Sequence, residues 1–302
     1  MDPARTVRIA HATDVHWFSP PPLTRLCNKR FLGWVNLFVG GRKTEFDETV
    51  QTDLIEHITA LAPDAVLMSG DLTATALEAE FEKARAALNP VLERFPTLVL
   101  AGNHDVYTWR AARERRIARY FEPWMGLGGD PEGIARLDVG PVTILGLDPN
   151  RPGVLSSGRL PAEQLEGLAE ALAGDALAER VVLLALHYPV LDRHGEVYDG
   201  LNHGLRNARE LIAVLEAAPK RPVAIVHGHE HHGYQVDLAL GEDRVPIFDP
   251  GAGGYADLPE RGRAACMNLY EIAPSGAVRV ERYRHGPDGF QPEPGGAYAS
   301  GR

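Results

Sequence analysis

The chain has 302 residues, 44% of them hydrophobic and 24% charged, which is the balance of a soluble globular protein with enough apolar mass for a core. Its formal net charge of -10 sets the surface as a whole against nucleic acid and anionic membrane, although metal ions could still draw a phosphate substrate to it. Two cysteines, Cys27 and Cys266, make neither a disulfide framework nor a thiolate metal site, so reduced thiols in a cytoplasmic protein are expected.

From the N-terminus, "MDPARTVRIAHATD" lacks an apolar signal core and runs directly into a strand. No apolar run approaches the ~20 residues that span a bilayer. Strand candidates follow at "VRIAHA" (7–12), "AVLMSG" (65–70), "TLVLAG" (97–102), "VTILGL" (142–147), "VVLLAL" (181–186) and "VAIVHG" (223–228). Apolar residues at helical spacing predict helices near 47–61, 77–94, 109–121, 161–173 and 206–217, the fourth opened by a proline at 161. Between about 244 and 284, "VPIFDPGAGG", "CMNLYEI" and "VRVERY" read as further strands joined by Gly/Pro turns. The stretch from 285 to 302 is rich in Gly and Pro and is expected to be a flexible tail. No repeat or linker divides the chain, so residues 1–284 are expected to form one domain.

Five strand candidates are followed at once by His, Asp or Asn: "HATDVH", "SGDLT", "AGNHD", "LALHYP" and "VHGHEH". In open α/β sheets ligands gather beyond the carboxyl ends of the strands, so groups scattered over more than 200 positions are expected to converge there. The set comprises Asp14, His16, Asp71, Asn103, His104, His187, His229 and His231. Imidazole, carboxylate and amide oxygen without thiolate suit Mn, Fe or Zn. The donors are too many for one ion and suit two sharing a carboxylate, a clamp used for displacement at phosphorus.

In that order, "DVH", "GD", "GNHD", "H" and "GHEH" resemble the calcineurin-like metallophosphoesterases over roughly residues 7 to 235. The resemblance implies an α/β fold, a four-layer αββα sandwich of two mixed β-sheets flanked by helices. It implies that Asp14, His16 and His231 bind one metal, that Asn103, His187 and His229 bind the other, and that Asp71 bridges them. His104 would act on the substrate, protonating the leaving oxygen or stabilising the charged transition state. The implied activity is a metal-dependent phosphoesterase, most of all a phosphodiesterase, in which a metal-bridging hydroxide attacks phosphorus. Asp105 is expected to orient a neighbour rather than to ligate.

The remaining histidines carry less. His227 has the same parity as His229 and His231 but lies one step earlier, inside the strand end, and reads as a supporting or buried residue; His232 has the opposite parity and reads as solvent-facing. His11 is expected to be structural, and His57, His194 and His285 to lie at the surface. Asn202, His203 and Arg206 either reach the substrate rim or cap the following helix.

Among branches of the family, "GDLTAT" and "GNHD" differ from the protein phosphatases, the purple acid phosphatases and the best-known UDP-diacylglucosamine hydrolases, and most resemble the bacterial cyclic-nucleotide phosphodiesterase-like group. Residues 20–47 form an insertion that interleaves Phe31, Trp34 and Phe38 with Arg25, Lys29 and Arg42. It reads either as a lid packed on the body or as a peripheral contact with lipid at the inner membrane face. The substrate is expected to be a small phosphodiester, with cyclic nucleotides as one candidate. The alternatives are a pyrophosphate in a nucleotide-linked lipid such as UDP-2,3-diacylglucosamine, and a non-catalytic metal-binding scaffold.

Overall fold

A computed structural model describes residues 5–20, 45–129, 133–153, 156–198 and 203–299. Its first sheet combines β1 (Val7–Ala12), β2 (Ala65–Met68), β3 (Thr97–Val99), β10 (Cys266–Ile272), β11 (Val278–Gly286) and β12 (Gly289–Pro292), in the order β12-β11-β10-β1-β2-β3. The second combines β4 (Ala135–Val139), β5 (Val142–Gly146), β6 (Val181–Ala185), β7 (Ala224–Val226), β8 (Tyr234–Leu240) and β9 (Asp243–Asp249), in the order β4-β5-β6-β7-β9-β8. Both are mixed: β1-β2-β3 and β5-β6-β7-β9 run parallel, while β4, β8, β10, β11 and β12 pair antiparallel.

The central strands are buried on both faces, and the two-residue alternation sends their side chains into different cores. Ile9 and Leu67 of the first sheet meet Leu183, Val226 and Phe248 of the second in the layer between the sheets. Ala10, Val66 and Met68 point the other way, against Leu54 and Ile58 of α1 (Glu48–Leu61) and Phe81 and Leu88 of α2 (Glu78–Leu92). Val182 and Leu184 likewise meet Leu168 and Leu211 from α5 (Ala162–Ala173) and α6 (Ala208–Ala217). The result is the expected four-layer αββα sandwich.

Two expectations need correcting. The helix predicted over 109–121 is two short ones, α3 (Trp109–Arg113) and α4 (Arg116–Phe121), broken where Arg115 turns to φ 46°. The break buries the Arg116 guanidinium, which donates to the Ala76 carbonyl at 2.8 Å and pairs with Glu114 at 2.5 Å. The expected flexible tail is instead folded through residue 299. Strand β12 pairs with β11, Phe290 and Tyr298 are buried, and Glu293 accepts from the buried Arg282 at 2.5 Å. Polar ladder bonds and one ion pair hold a segment that its Gly/Pro content suggested was loose.

Most of the insertion, residues 21–44, lies outside the described residues, and so does Asn202. Among the described residues no helix is long and apolar enough to cross a membrane.

Candidate metal centre

The carboxyl ends of five strands open onto one volume. From the first sheet, Asp14 and His16 follow β1, Asp71 follows β2, and Asn103 and His104 follow β3; from the second, His187 follows β6, and His229 and His231 follow β7. The loops are tied to one another beyond the strands. Asp14 N–H donates to Gly70 O at 3.0 Å and His16 N–H to Asp71 O at 3.0 Å, so the β1–β2 pairing continues through the candidate ligands. Gly228 N–H donates to His187 O at 3.1 Å and does the same for β6 and β7.

Glycine is required where these loops touch. A Cβ on Gly102 would lie 2.1 Å from Asp71 Oδ1, and one on Gly228 would lie 2.5 Å from Asp14 Oδ2. Five candidate ligands themselves have positive φ: Asp14 (53°), His16 (54°), Asp71 (52°), His229 (78°) and His231 (59°). Non-glycine residues rarely hold this conformation outside functional sites.

The side chains form two overlapping groups. Ligand atoms of Asp14, His16, Asp71 and His231 lie within 4.8 Å of one another, as do those of Asp71, His187 and His229. Asp71 belongs to both. Asn103 Oδ1 joins the second group, 3.2 Å from His187 Nε2. His104 flanks the cluster, its ring edge-on to His16 at 4.8 Å and its backbone N–H donating to Asp71 Oδ1 at 2.7 Å. All eight residues singled out from the sequence are therefore brought together.

The hydrogen bonds around this cluster suit cations. Nδ1 of His16 donates to Thr73 O (3.3 Å) and Nδ1 of His187 to Ser69 O (2.9 Å), which leaves Nε2 of each ring facing inward. His16 Nε2 then lies 3.2 Å from His231 Nε2 and 3.7 Å from the carboxylates of Asp14 and Asp71. His187 Nε2 faces Asn103 Oδ1 and, at 3.4 Å, Asp71 Oδ2. Buried acceptors and ring nitrogens converge with no lysine or arginine of the described residues between them, a donor set that fits divalent metal ions. Without metal, a proton takes up part of that role. Burial pulls His187 down, but the Asp71 carboxylate outweighs it and lifts the ring to about 10. Burial favours neutral Asp14 and Asp71, yet the facing histidines hold both well below the ordinary carboxylate range.

The family model for calcineurin-like phosphoesterases matches residues 7–233, from β1 to the edge of β8. The chain belongs to that family. Among curated relatives, the glycerophosphodiester phosphodiesterase GpdQ of Enterobacter lignolyticus is 26% identical over 228 residues, covering 74% of this chain and 70% of the relative. The cAMP/cGMP dual specificity phosphodiesterase of Mycobacterium tuberculosis is 30% identical over 244 residues, covering 75% and 69%. Among solved structures, a dimetal phosphatase from Danio rerio shares the fold at a TM-score of 0.56 and 14% identity, over 96% of this chain and 99% of the other. A purple acid phosphatase from yellow lupin does so at 0.59 and 12%, over 93% and 52%. The chain is a metal-dependent phosphoesterase.

In this phosphoesterase a second tier of residues holds the first. Asp14 divides its oxygens: Oδ2 accepts from Thr13 Oγ1 (2.8 Å) and from His229 N–H (2.9 Å), while Oδ1 faces His231 Nε2 at 3.1 Å without a hydrogen bond of good geometry. Asp105 does not point at the cluster; its carboxylate accepts from Gly102 N–H (2.9 Å), Leu72 N–H (3.2 Å), Thr73 N–H (2.9 Å) and Thr73 Oγ1 (3.0 Å). Burial and the nearby Asp71 charge push it up to about 7, against the hydrogen bonds from Gly102 and Thr73. His104 is fixed by Nδ1 donating to Ala74 O at 2.6 Å, and burial lowers it to about 4.

Several neighbours escape sequence reading. Phe46 packs its ring on His16 at 4.5 Å and on Tyr255 at 5.1 Å, and the Tyr255 hydroxyl lies 2.9 Å from His231 Nδ1. Gln51 of α1 donates to Val15 O at 2.8 Å and props the first loop. None of these has a residue type that announces metal chemistry.

Other histidines divide as follows. His227 is buried between the Tyr234 hydroxyl (3.2 Å) and Asp249 (3.4 Å), and His232 is exposed. His11 is buried between Tyr270 OH (3.1 Å) and Ser69 Oγ (2.7 Å), and burial lowers it to about 3. His57 and His285, expected at the surface, are half-buried against Phe290, with His285 2.9 Å from Asp53. His203 stands at the rim, its ring 6.1 Å from that of His229, while the residue opening α6 is Asn207 rather than His203 or Arg206.

Proposed function

We propose that the protein hydrolyses small phosphodiesters with two divalent metal ions. Asp14, His16 and His231 hold one ion, Asn103, His187 and His229 hold the other, and Asp71 is shared. The observation that carries this reading is the sharing itself: two ligand groups from five strands overlap only at Asp71. Mn, Fe and Zn all suit the donors. When bound, such ions supply Lewis acidity at phosphorus and a water-derived nucleophile at neutral pH.

The chain's own residues set the geometry of the reaction. His104 N–H and the tight approach of Gly102 hold Asp71 in its shared position. With Nδ1 of His104 committed to Ala74 O, Nε2 is the ring nitrogen left to face the substrate; because burial holds the ring near 4, it passes a proton to the leaving oxygen only after the anionic phosphate has brought one to it. Phe46 packs on the His16 ring and Tyr255 on the His231 ring, so the two aromatics cover part of that side of the cluster. The activities by which the two relatives are named, on glycerophosphodiesters and on cyclic nucleotides, support a diester substrate, and cyclic nucleotides are one candidate.

The test is hydrolysis of bis(p-nitrophenyl) phosphate by metal-stripped protein. Turnover is expected only after Mn²⁺, Fe²⁺ or Zn²⁺ is restored, and His104→Ala is expected to lower kcat by about 10²–10⁴-fold. Absence of turnover with all three metals sinks the proposal.

A further inference from the structure

A cleft of about 860 Å³ lies between β8 and β11, where the gap between the sheets opens, and shares His231 and Tyr255 with the candidate metal centre. Its size is that of a small-molecule site rather than a surface dimple. Four arginines line it, Arg193, Arg263, Arg282 and Arg284, against one acid, Asp237, in a chain whose net charge is -10.

The arginines differ in what they have left to offer. Arg282 is buried and fully engaged by Glu293, Pro250 O and Cys266, and it forms the floor. A Cβ on Gly233 would lie 2.4 Å from its Nη2, so the floor packs directly beneath the loop that carries His229 and His231. Arg263 is paired with Glu45 and lies over the Tyr255 ring at 5.3 Å. Arg193 and Arg284 have no carboxylate within ion-pair distance among the described residues. Arg193, whose Nε donates to His194 Nε2 at 3.3 Å, and Arg284 thus line the same cleft as a third guanidinium whose charge is already matched, beside the site of phosphorus chemistry. Guanidinium forks favour carboxylate and phosphate oxygens.

We propose that this cleft binds the anionic far end of an extended phosphodiester, an oxyanion carried on the arm beyond the scissile phosphorus. The assignment rests on the phosphodiesterase reading and narrows it to substrates with a second negative charge. It accounts for a basic cleft on an acidic protein, which hydrolysis of a diester with neutral arms does not require.

The test compares bis(p-carboxyphenyl) phosphate with the neutral-armed bis(p-carbamoylphenyl) phosphate, whose leaving group is of similar strength, on the Mn²⁺-loaded protein. The wild type is expected to favour the carboxylated diester in kcat/KM by about tenfold, and an Arg193→Gln/Arg284→Gln variant to lose most of that preference. A preference absent from the wild type, or kept in the variant, overturns the proposal. Calorimetric titration of metal-free protein with the same carboxylated diester provides a readout independent of turnover. Binding about tenfold weaker in the variant supports the cleft. Equal binding by both proteins overturns it, as does benzoate binding as tightly as the diester, which would mark a site for free anions. If neither diester is cleaved, the phosphodiesterase reading falls while this titration still decides the cleft.

Discussion

Asp105 gives the sharpest test of how the site is built, because it is fully buried, makes no contact with the ligand cluster, and ties two of its loops together. Replacing it with alanine leaves three backbone N–H groups, of Leu72, Thr73 and Gly102, without their acceptor, while the Thr73 hydroxyl keeps the His104 carbonyl at 3.2 Å. A buried donor left unpaired costs about 1–3 kcal/mol, so three N–H groups give about 3–6 kcal/mol once a water molecule partly refills the space. That is a large part of the roughly 5–15 kcal/mol that stabilises a domain. Urea unfolding of metal-free Asp105→Ala is expected to show the loss directly. Titration with Mn²⁺ should show affinity reduced about 10–100-fold, as for residues that orient metal ligands. Asp105→Asn retains an acceptor for Thr73 but presents an amide to Gly102 and Leu72, so it should fall between the two. A stability within about 1 kcal/mol of wild type together with unchanged Mn²⁺ affinity would refute the reasoning, since the unpaired donors alone should exceed it.

Three further outcomes follow from the same geometry. Because His187 holds its proton up to about 10 in the metal-free protein, a metal ion must displace that proton. Calorimetry with Mn²⁺ at pH 8 in two buffers should report release of about one proton, with affinity rising about tenfold from pH 8 to 9; His187→Gln should flatten the dependence, and no proton release from wild type contradicts it. Gly102→Ala forces a methyl to 2.1 Å from Asp71 Oδ1 and should cost about 1–3 kcal/mol in urea unfolding and weaken Mn²⁺ binding; wild-type values for both would show that the loops are free to part. Glu293→Ala strands the buried Arg282 charge and should destabilise by about 3–5 kcal/mol in thermal or urea unfolding, whereas a neutral effect would mean that the C-terminal segment does not hold the fold.

The parallel strands β1, β2, β3, β5, β6 and β7 are legible because both faces are buried, which turns each into a short apolar run. Of the four edge strands, the three other than β3 are not. In β4 ("ARLDV") and β8 ("YQVDLAL") exposed and buried residues mix, and β12 ("GFQP") has almost no apolar content. Each is placed by pairing with the adjacent strand, Leu137 opposite Ile144 in one case and Phe290 opposite His285 in another, rather than by an apolar pattern of its own. The break before α4 is likewise tertiary, since it delivers Arg116 to Ala76, 40 positions away. The same division runs through the site. Its candidate ligands are visible because their chemistry is in their residue type and their place is the end of a strand. Phe46, Gln51, Thr13 and Tyr255 support those ligands through packing or backbone hydrogen bonds, a service that many residue types perform and no local pattern marks.

What the ligand motifs share beyond composition is a backbone. In both "DVH" and "HEH" the first and third residues have positive φ, and the residue between them does not. Alternation in an extended turn would place the outer pair on one face, but it would not return the chain toward the neighbouring strand. Two left-handed residues let the chain turn while both side chains stay directed at the cluster. Val15, between them, is sent into the helix-facing core, where it is fully buried. The turn also aims backbone donors: Asp14 N–H reaches Gly70 O and His229 N–H reaches Asp14 Oδ2, so one candidate ligand from the first sheet receives a hydrogen bond from one of the second. Residues held in such sparsely populated conformations cost of order 1–3 kcal/mol each and persist where surrounding structure over-determines them. Here the surroundings are the glycines that allow the loops to touch, the Asp105 carboxylate that binds two of them, and the doubly buried strands behind. The candidate centre is therefore held in shape by its backbone before any ion arrives, and the cost of that shape is borne by the fold.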